Sequence, residues 1–187
     1  GVAIDPVHRR FIARWIARDS VVWDVGGNMG LFAFPAALKA HAGSVLTFEP
    51  DIDLARALMR GCRRRENATL PVTVLPVALS DSDGCARFEI AAHGRAMNKL
   101  AGVGGWHDDL YQAAETRTVP TLRIDTLART LPPPTVMKID VEGAEMAVLA
   151  GGRETIARYR PAMLVEGPRQ LAEAMRDFFA SLDYVLL

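Results

Sequence analysis

Two stretches of this chain combine residue types that bind and react. The first is Asp24-Val25-Gly26-Gly27-Asn28-Met29-Gly30, followed 19 residues after Gly30 by Glu49 in Phe48-Glu49-Pro50. Glycines let a backbone turn with positive φ and approach a ligand closely. Free N–H groups at a following helix terminus favour a carboxylate or phosphate. A carboxylate at the end of the neighbouring strand accepts two hydrogen bonds from a ribose diol. The pairing points to an adenosine-type ligand without saying which. The second stretch is Val136-Met137-Lys138-Ile139-Asp140-Val141-Glu142-Gly143-Ala144-Glu145, an apolar run that acquires charges as it proceeds. Strand periodicity puts Lys138, Asp140 and Glu142 on one face, and charges in such a strand need partners. Glu145 falls in the first turn of the next helix, where the helix dipole stabilises a carboxylate whatever the function.

The known nucleotide loops do not fit. G-x-G-x-x-G fails because Asn28 stands two positions after Gly26 and Leu31 three positions further, and no G-x-x-x-x-G-K-[ST] occurs. A loop that opens with Asp24, holds Asn28 and forms no pyrophosphate cradle suits the amino-acid end of S-adenosylmethionine. Asp24 would then orient the loop or contact the methionine ammonium, directly or through water. The candidate cofactor-binding residues of this part are Asp24, Gly26, Gly27, Asn28, Gly30, Glu49 and Pro50.

These residues need a scaffold that brings strand ends together. Phe11, Ile12, Trp15 and Ile16 alternate with arginines at helical spacing and describe a helix starting near Asp5-Pro6, which caps the sheet. The spacing then predicts strand 21–25, helix 31–42, strand 44–48, a helix 51–65 with Asp51 as N-cap, and strand 72–79. That order implies right-handed crossovers and a parallel sheet. Asp81-Ser82-Asp83-Gly84 is a turn signal and 86–90 alternates like an exposed strand. Residues 91–120 read as mostly irregular, and 122–127 as a further strand. The pattern resumes with strand 136–141, a helix 144–159 interrupted around Gly151-Gly152, strand 162–166, helix 170–182 and an apolar stub 184–187. The fold class expected is α/β, a Rossmann-like, mostly parallel twisted sheet with helices on both faces and a β/loop insertion after the third strand. One domain, 1–187, is expected, with 1–20 as an N-terminal capping helix and 81–130 as a variable insertion expected to act as a substrate lid.

Composition removes several classes. Lysine plus arginine equals aspartate plus glutamate at 22 each, so no net positive field gathers nucleic acid. No apolar stretch approaches the roughly 20 residues of a membrane helix, and the N-terminus lacks a signal-peptide core, so neither membrane nor nucleic acid is an expected partner and the cytoplasm is the expected compartment. Cys62 and Cys85 are too few for a disulfide framework and lack metal-ligand spacing, so free thiols are expected.

The chain resembles the FkbM family of methyltransferases. The resemblance rests on Val22-Trp23-Asp24-Val25-Gly26-Gly27-Asn28-Met29-Gly30, Phe48-Glu49-Pro50-Asp51, Pro76-Val77-Ala78-Leu79-Ser80-Asp81, Lys138-Ile139-Asp140-Val141-Glu142-Gly143-Ala144-Glu145 and Val165-Glu166-Gly167, all in family order. It implies a class I methyltransferase fold, S-adenosyl-L-methionine as cofactor and, usually, O-methylation of a hydroxyl on a sugar, glycolipid or natural product. By the same resemblance Asp24, Gly26, Asn28, Gly30 and Glu49 hold the cofactor, with Val77 and Ala78 beside adenine. Class I methyltransferases usually continue into a last antiparallel strand where this chain ends, which leaves a sheet edge on which a homodimer could pair.

Transfer from a sulfonium needs orientation above all, because the donor is already activated. Holding an oxygen about 3–3.5 Å from the methyl carbon supplies several kcal/mol of otherwise lost entropy. A general base adds roughly 10²–10⁴-fold for a hydroxyl acceptor. Asp140 and Glu142 are the leading candidates, with fixation of the cofactor or a loop as the competing role for Asp140. His107, followed by Asp108 and Asp109, is a third, against the reading of a surface histidine. No ligand spacing defines a metal site. The alternatives carried forward are a nucleic-acid or other N-directed methyltransferase and a non-catalytic S-adenosylmethionine-binding module.

Overall fold

The computed structural model describes residues 4–92, 98–102 and 112–187. In chain order its elements are α1 (Pro6–Trp15), β1 (Val21–Val25), α2 (Ala33–Lys39), β2 (Ser44–Phe48), α3 (Ile52–Cys62), β3 (Val72–Leu75), β4 (Ala78–Leu79), β5 (Gly84–Ala91), β6 (Lys99–Leu100), β7 (Ala113–Leu122), α4 (Ile124–Leu127), β8 (Val136–Asp140), α5 (Glu145–Gly151), α6 (Arg153–Tyr159), β9 (Ala162–Glu166) and α7 (Ala172–Ala180), the last preceded by a 3-10 turn, Arg169–Leu171. They form two units. One comprises the residues up to Ala78 with Pro132–Ile139 and Tyr159–Leu164; the other comprises Leu79–Leu131, Asp140–Arg158 and Val165–Leu187.

The first unit is built on the sheet ordered β3-β2-β1-β8-β9. β1 pairs in parallel with β2 on one side and β8 on the other, through Val25↔Phe48 and Asp24↔Lys138, and β2 pairs in parallel with β3 through Phe48↔Leu75. A strand covered on both faces reads as a continuous apolar run, and Val22, Trp23, Val25, Val45 and Phe48 are accordingly all but inaccessible. α1 begins as its sequence dictates. Asp5 accepts from Val7 N at 2.6 Å and Pro6 occupies the first turn, where a missing N–H costs nothing. Its Phe11 and Ile12, with Ile16 just beyond, join Val22, Phe32, Val45, Val136, Ala33, Ala36 and Ala37 of α2 and its C-cap Ala40 in one core cluster. Alanine at these positions lets α2 lie close to its neighbours.

The strand expected over 72–79 is two strands. Leu75 O accepts from both Glu49 N (3.0 Å) and Val77 N (2.9 Å) across Pro76. Proline has no N–H to continue a ladder, so β3 ends at Leu75 and β4 joins a different sheet.

That sheet, which from Leu79 onward belongs to the second unit, has the order β4-β7-β5-β6. β5 and β7 run antiparallel from Gly84↔Thr121 to Glu89↔Thr116, with a shift of register between Ile90 and Ala91. The end of the segment expected to be irregular, 113–120, is therefore part of strand β7. Six of its ten residues are exposed and half are polar, and pairing with β5 rather than apolar patterning creates it. Residues 124–127, expected as strand, form α4 instead. Asp83 accepts from Arg123 N and Thr126 Oγ1, both at 2.7 Å, which ties down the start of the turn, while Ile124 and Leu127 are buried three apart. These two bonds also hold the Asp83 carboxyl below its ordinary pKa. The expected interruption at Gly151-Gly152 divides α5 from α6. A Cβ on Gly151 would overlap the Ser80 carbonyl, and one on Gly152 would sit 2.8 Å from Ile124 Cδ1. Buried Asp125 begins α6 by accepting from Thr155 N at 2.8 Å, and Arg123 Nη2 lies 3.0 Å from its other oxygen. The C-terminal Val185, Leu186 and Leu187 are exposed.

Cys62 and Cys85 are both free thiols. Among the described residues no helix is long and apolar enough to cross a membrane.

Candidate functional site

β1 delivers the chain into a turn that only part of the amino-acid repertoire can make. Gly26 and Gly30 take φ of 85° and 82°, and Asn28 takes φ of 45°. The left-handed region is open to glycine and tolerated by asparagine. Gly26 N and Gly27 N both donate to Phe48 O, at 3.0 and 3.1 Å, and Gly30 N donates to Gly27 O at 2.8 Å. Close packing restricts Gly27 and gives Gly30 a second reason to lack a side chain. A Cβ on Gly27 would overlap Thr47 Oγ1, and one on Gly30 would sit 2.6 Å from the Phe34 ring and 2.7 Å from Leu58.

Glu49 closes the turn from the adjacent strand. Its Oε2 accepts from Asn28 N and its Oε1 from Asp51 N, both at 2.8 Å. The loop after β1 and the carboxylate after β2 are thus one hydrogen-bonded assembly. Asp51 in turn begins α3, accepting from Asp53 N at 2.9 Å, and Pro50 is the half-buried link between the two acids. Glu49 is 5% exposed. Burial raises its pKa to about 7, against the lowering effect of the two backbone N–H donors, and the charges of Asp51 and Asp24 add to the rise.

Beneath the loop lies a buried polar group. Asp24 is inaccessible; its Oδ2 accepts from Thr47 Oγ1 at 3.2 Å, and Lys138 Nζ stands 3.8 Å from its Oδ1. Lys138, 3% exposed, also donates to Gly26 O at 3.3 Å. Of the two roles open to Asp24, this burial favours support of the loop. The role of Lys138 was not assigned from sequence, although a lone lysine in an apolar strand was the signal for it.

Val77 and Ala78, expected beside adenine, are buried and straddle the junction after Pro76. Asp140 and Glu142 belong to the second unit. Both are half-buried, but the strand face expected to carry them ends at Asp140. Glu142 (φ 55°) and Gly143 (φ 106°) are left-handed, so the chain turns there and Glu142 leaves the strand alternation. Glu145 anchors that turn: its Oε1 accepts from Val141 N at 3.2 Å and Gly143 N at 3.1 Å, while its inaccessible Oε2 lies 3.3 Å from where a Gly167 Cβ would be and has no hydrogen-bond partner among the described residues. Burial raises the Glu145 pKa. His107, with His93, Asp108 and Asp109, lies outside the described residues.

The residues of the first unit fit an adenosine-bearing cofactor by the chemistry of their donors and acceptors. Each Glu49 oxygen has two acceptor sites and one N–H, leaving capacity for a diol.

The sequence profile described as "Methyltransferase FkbM domain" matches residues 24–186. Among curated proteins, the hexuronic acid methyltransferase AglP of Haloferax volcanii is 33% identical over 147 residues, covering 76% of this chain and 54% of that protein. The 2-O-methyltransferase NoeI of Sinorhizobium fredii is 28% identical over 95% of this chain and 75% of its own length. The chain thus spans about half the length of AglP. Among solved structures, an FkbM methyltransferase from Methylobacillus flagellatus superposes with a TM-score of 0.60 at 18% identity, over 88% of this chain and 38% of the other. A precorrin-6y C5,15-methyltransferase from Geobacter metallireducens superposes with a TM-score of 0.55 at 11% identity, over 99% and 76%. Both likenesses concern the fold.

Proposed function

The chain belongs to the FkbM methyltransferase family, and from that premise we propose that it transfers a methyl group from S-adenosyl-L-methionine to a hydroxyl of a sugar-containing or other small-molecule acceptor. The observation that carries the reading is the bridge from Glu49 Oε2 to Asn28 N. It sets an acceptor for a ribose diol against a glycine turn in the position where an open α/β sheet binds ligands. The acceptor class follows the relatives, one named for hexuronic acids and one for a 2-O position.

When bound, the cofactor supplies an activated methyl group on a sulfonium. The chain's own residues bind and orient. Glu49 takes the ribose hydroxyls, and Gly26, Gly27, Asn28 and Gly30 receive the amino-acid end, with Pro50 fixing the approach to Asp51 and Val77 and Ala78 flanking the base. Asp140 accepts the proton of the acceptor hydroxyl, and Glu142 is the second candidate for that step.

Calorimetry with S-adenosyl-L-methionine tests the reading. The wild-type chain should bind, and Glu49→Ala should lose most of that binding because both ribose bonds go. Mass spectrometry after incubation of uronate-containing glycans with isotopically labelled cofactor should then find the label on a sugar oxygen. Binding without transfer to any acceptor in a cell extract would instead favour a non-catalytic module. Equal affinity in Glu49→Ala would refute the cofactor assignment.

A further inference from the structure

We propose that Lys138 is a positioning residue for the glycine turn: seated against Asp24, its ammonium holds the Gly26 carbonyl and so sets the affinity for the cofactor. The inference rests on the reading of that turn as the cofactor site. It starts from a cost. An ammonium buried to 3% exposure in a sheet needs compensation. β1 and β8 supply it, because their register places Asp24 beside Lys138.

What the ammonium holds is one peptide plane. The Gly26 carbonyl and the Gly27 N–H belong to the same planar trans amide and point in opposite directions. Gly27 N donates to Phe48 O of β2, and Gly26 O accepts from Lys138 of β8. The plane is therefore pinned from both neighbouring strands at the point where φ turns positive. Every later atom of the turn, including the Asn28 N–H on Glu49, inherits its orientation from that plane. Without the lysine, one of the two pins is gone, and glycine offers little steric resistance to rotation of the freed amide.

A purely structural ion pair and a positioning device predict different results in a mutant cycle of Lys138→Met, Asp24→Asn and the double variant. Lys138→Met should lower the melting temperature, because the buried Asp24 carboxylate loses this counter-charge, and should weaken cofactor binding about tenfold, the scale of one hydrogen bond to a charged group. The double variant should recover much of the melting temperature, since removing both charges is cheaper than removing one. It should not recover the affinity, because Gly26 O still lacks its donor. Recovery of both, or a Lys138→Met affinity within twofold of wild type, overturns the inference.

Amide hydrogen exchange over residues 26–30 of the ligand-free protein gives a second readout, independent of the cofactor. Exchange should rise in Lys138→Met and remain raised in the double variant; wild-type rates in a folded double variant overturn the proposal. If the wild-type chain itself fails to bind the cofactor, the functional reading falls and the affinity part of this inference falls with it. The exchange result then decides the hold of Lys138 on the turn.

Discussion

Raising the pH from 6 to 8 should tighten cofactor binding about tenfold in the wild-type chain and leave Glu49→Gln unmoved. The reason is the pKa of about 7 that burial, reinforced by Asp51 and Asp24, gives Glu49. The ionised carboxylate presents acceptors on both oxygens while it also receives the Asn28 and Asp51 N–H groups. The protonated form turns one of those acceptor sites into a donor, against the ribose hydroxyls. With a pKa near 7 the ionised fraction is roughly 0.09 at pH 6 and 0.91 at pH 8. Apparent affinity scales with the competent fraction, which gives the factor of about ten, or about 1.4 kcal/mol. Stability runs the other way. The folded pKa lies above the ordinary carboxyl value of 4.5, so this contribution is fully present below pH 4.5 and is lost as pH rises through 7. Its ceiling is about 3 kcal/mol, from 1.36 kcal/mol per pKa unit. The two slopes oppose each other in one protein, which separates this account from general alkaline weakening. Titration calorimetry at pH 6, 7 and 8, paired with thermal unfolding of the ligand-free protein, reads both. A wild-type Kd that does not move over that range, or a Gln variant that follows the wild-type slope, would refute the reasoning.

Three further outcomes are expected. Asp140→Asn should keep the cofactor Kd and lose roughly 10²–10⁴-fold in kcat, measured under saturating cofactor; normal turnover removes the base role. Gly30→Ala should destabilise the chain by at least about 2 kcal/mol in urea unfolding, because left-handed strain adds to the overlap with Phe34 and Leu58. Glu145→Gln should unfold within about 1 kcal/mol of wild type at pH 8, since one oxygen keeps both backbone donors and an uncompensated buried acid is removed. It should also flatten the loss of stability that the raised Glu145 pKa causes as pH rises above the ordinary carboxyl range.

Where burial and periodicity agree, the residues foretold the structure. β1, β2 and β9 fall on the apolar runs that announced them, and α5 breaks from α6 at the paired glycines. The turn and its acidic partner were legible for the same reason, since positive φ narrows the choice of residue and a strand end fixes where a carboxylate can reach. The failures have a common cause in pairing that local pattern does not encode. β7 is half polar and mostly exposed, and it exists by its ladder to β5. The break at Pro76 was readable as a missing donor, but the departure of β4 to a second sheet was not. Leu122 to Leu127 alternates like a strand, yet the Asp83 bonds and the burial of Ile124 and Leu127 settle it as a helix. Asp24 shows the limit at the site itself: an acid before a glycine loop serves a ligand or the loop equally well on paper, and its burial beside Thr47 and Lys138 is what favours the loop.

The boundary of the family match and the boundary of what folds are different places. The matched region opens at Asp24, inside β1, whereas Phe11, Ile12 and Ile16 of the preceding segment are packed with Val22, Phe32 and Val45. Each such side chain contributes on the order of 1.5–3 kcal/mol when fully buried, comparable in sum to the whole net stability of a typical domain. A chain trimmed to begin at residue 24 would therefore bare an oily stripe over α2 and cut a strand in half, and it should be recovered from cells as aggregate.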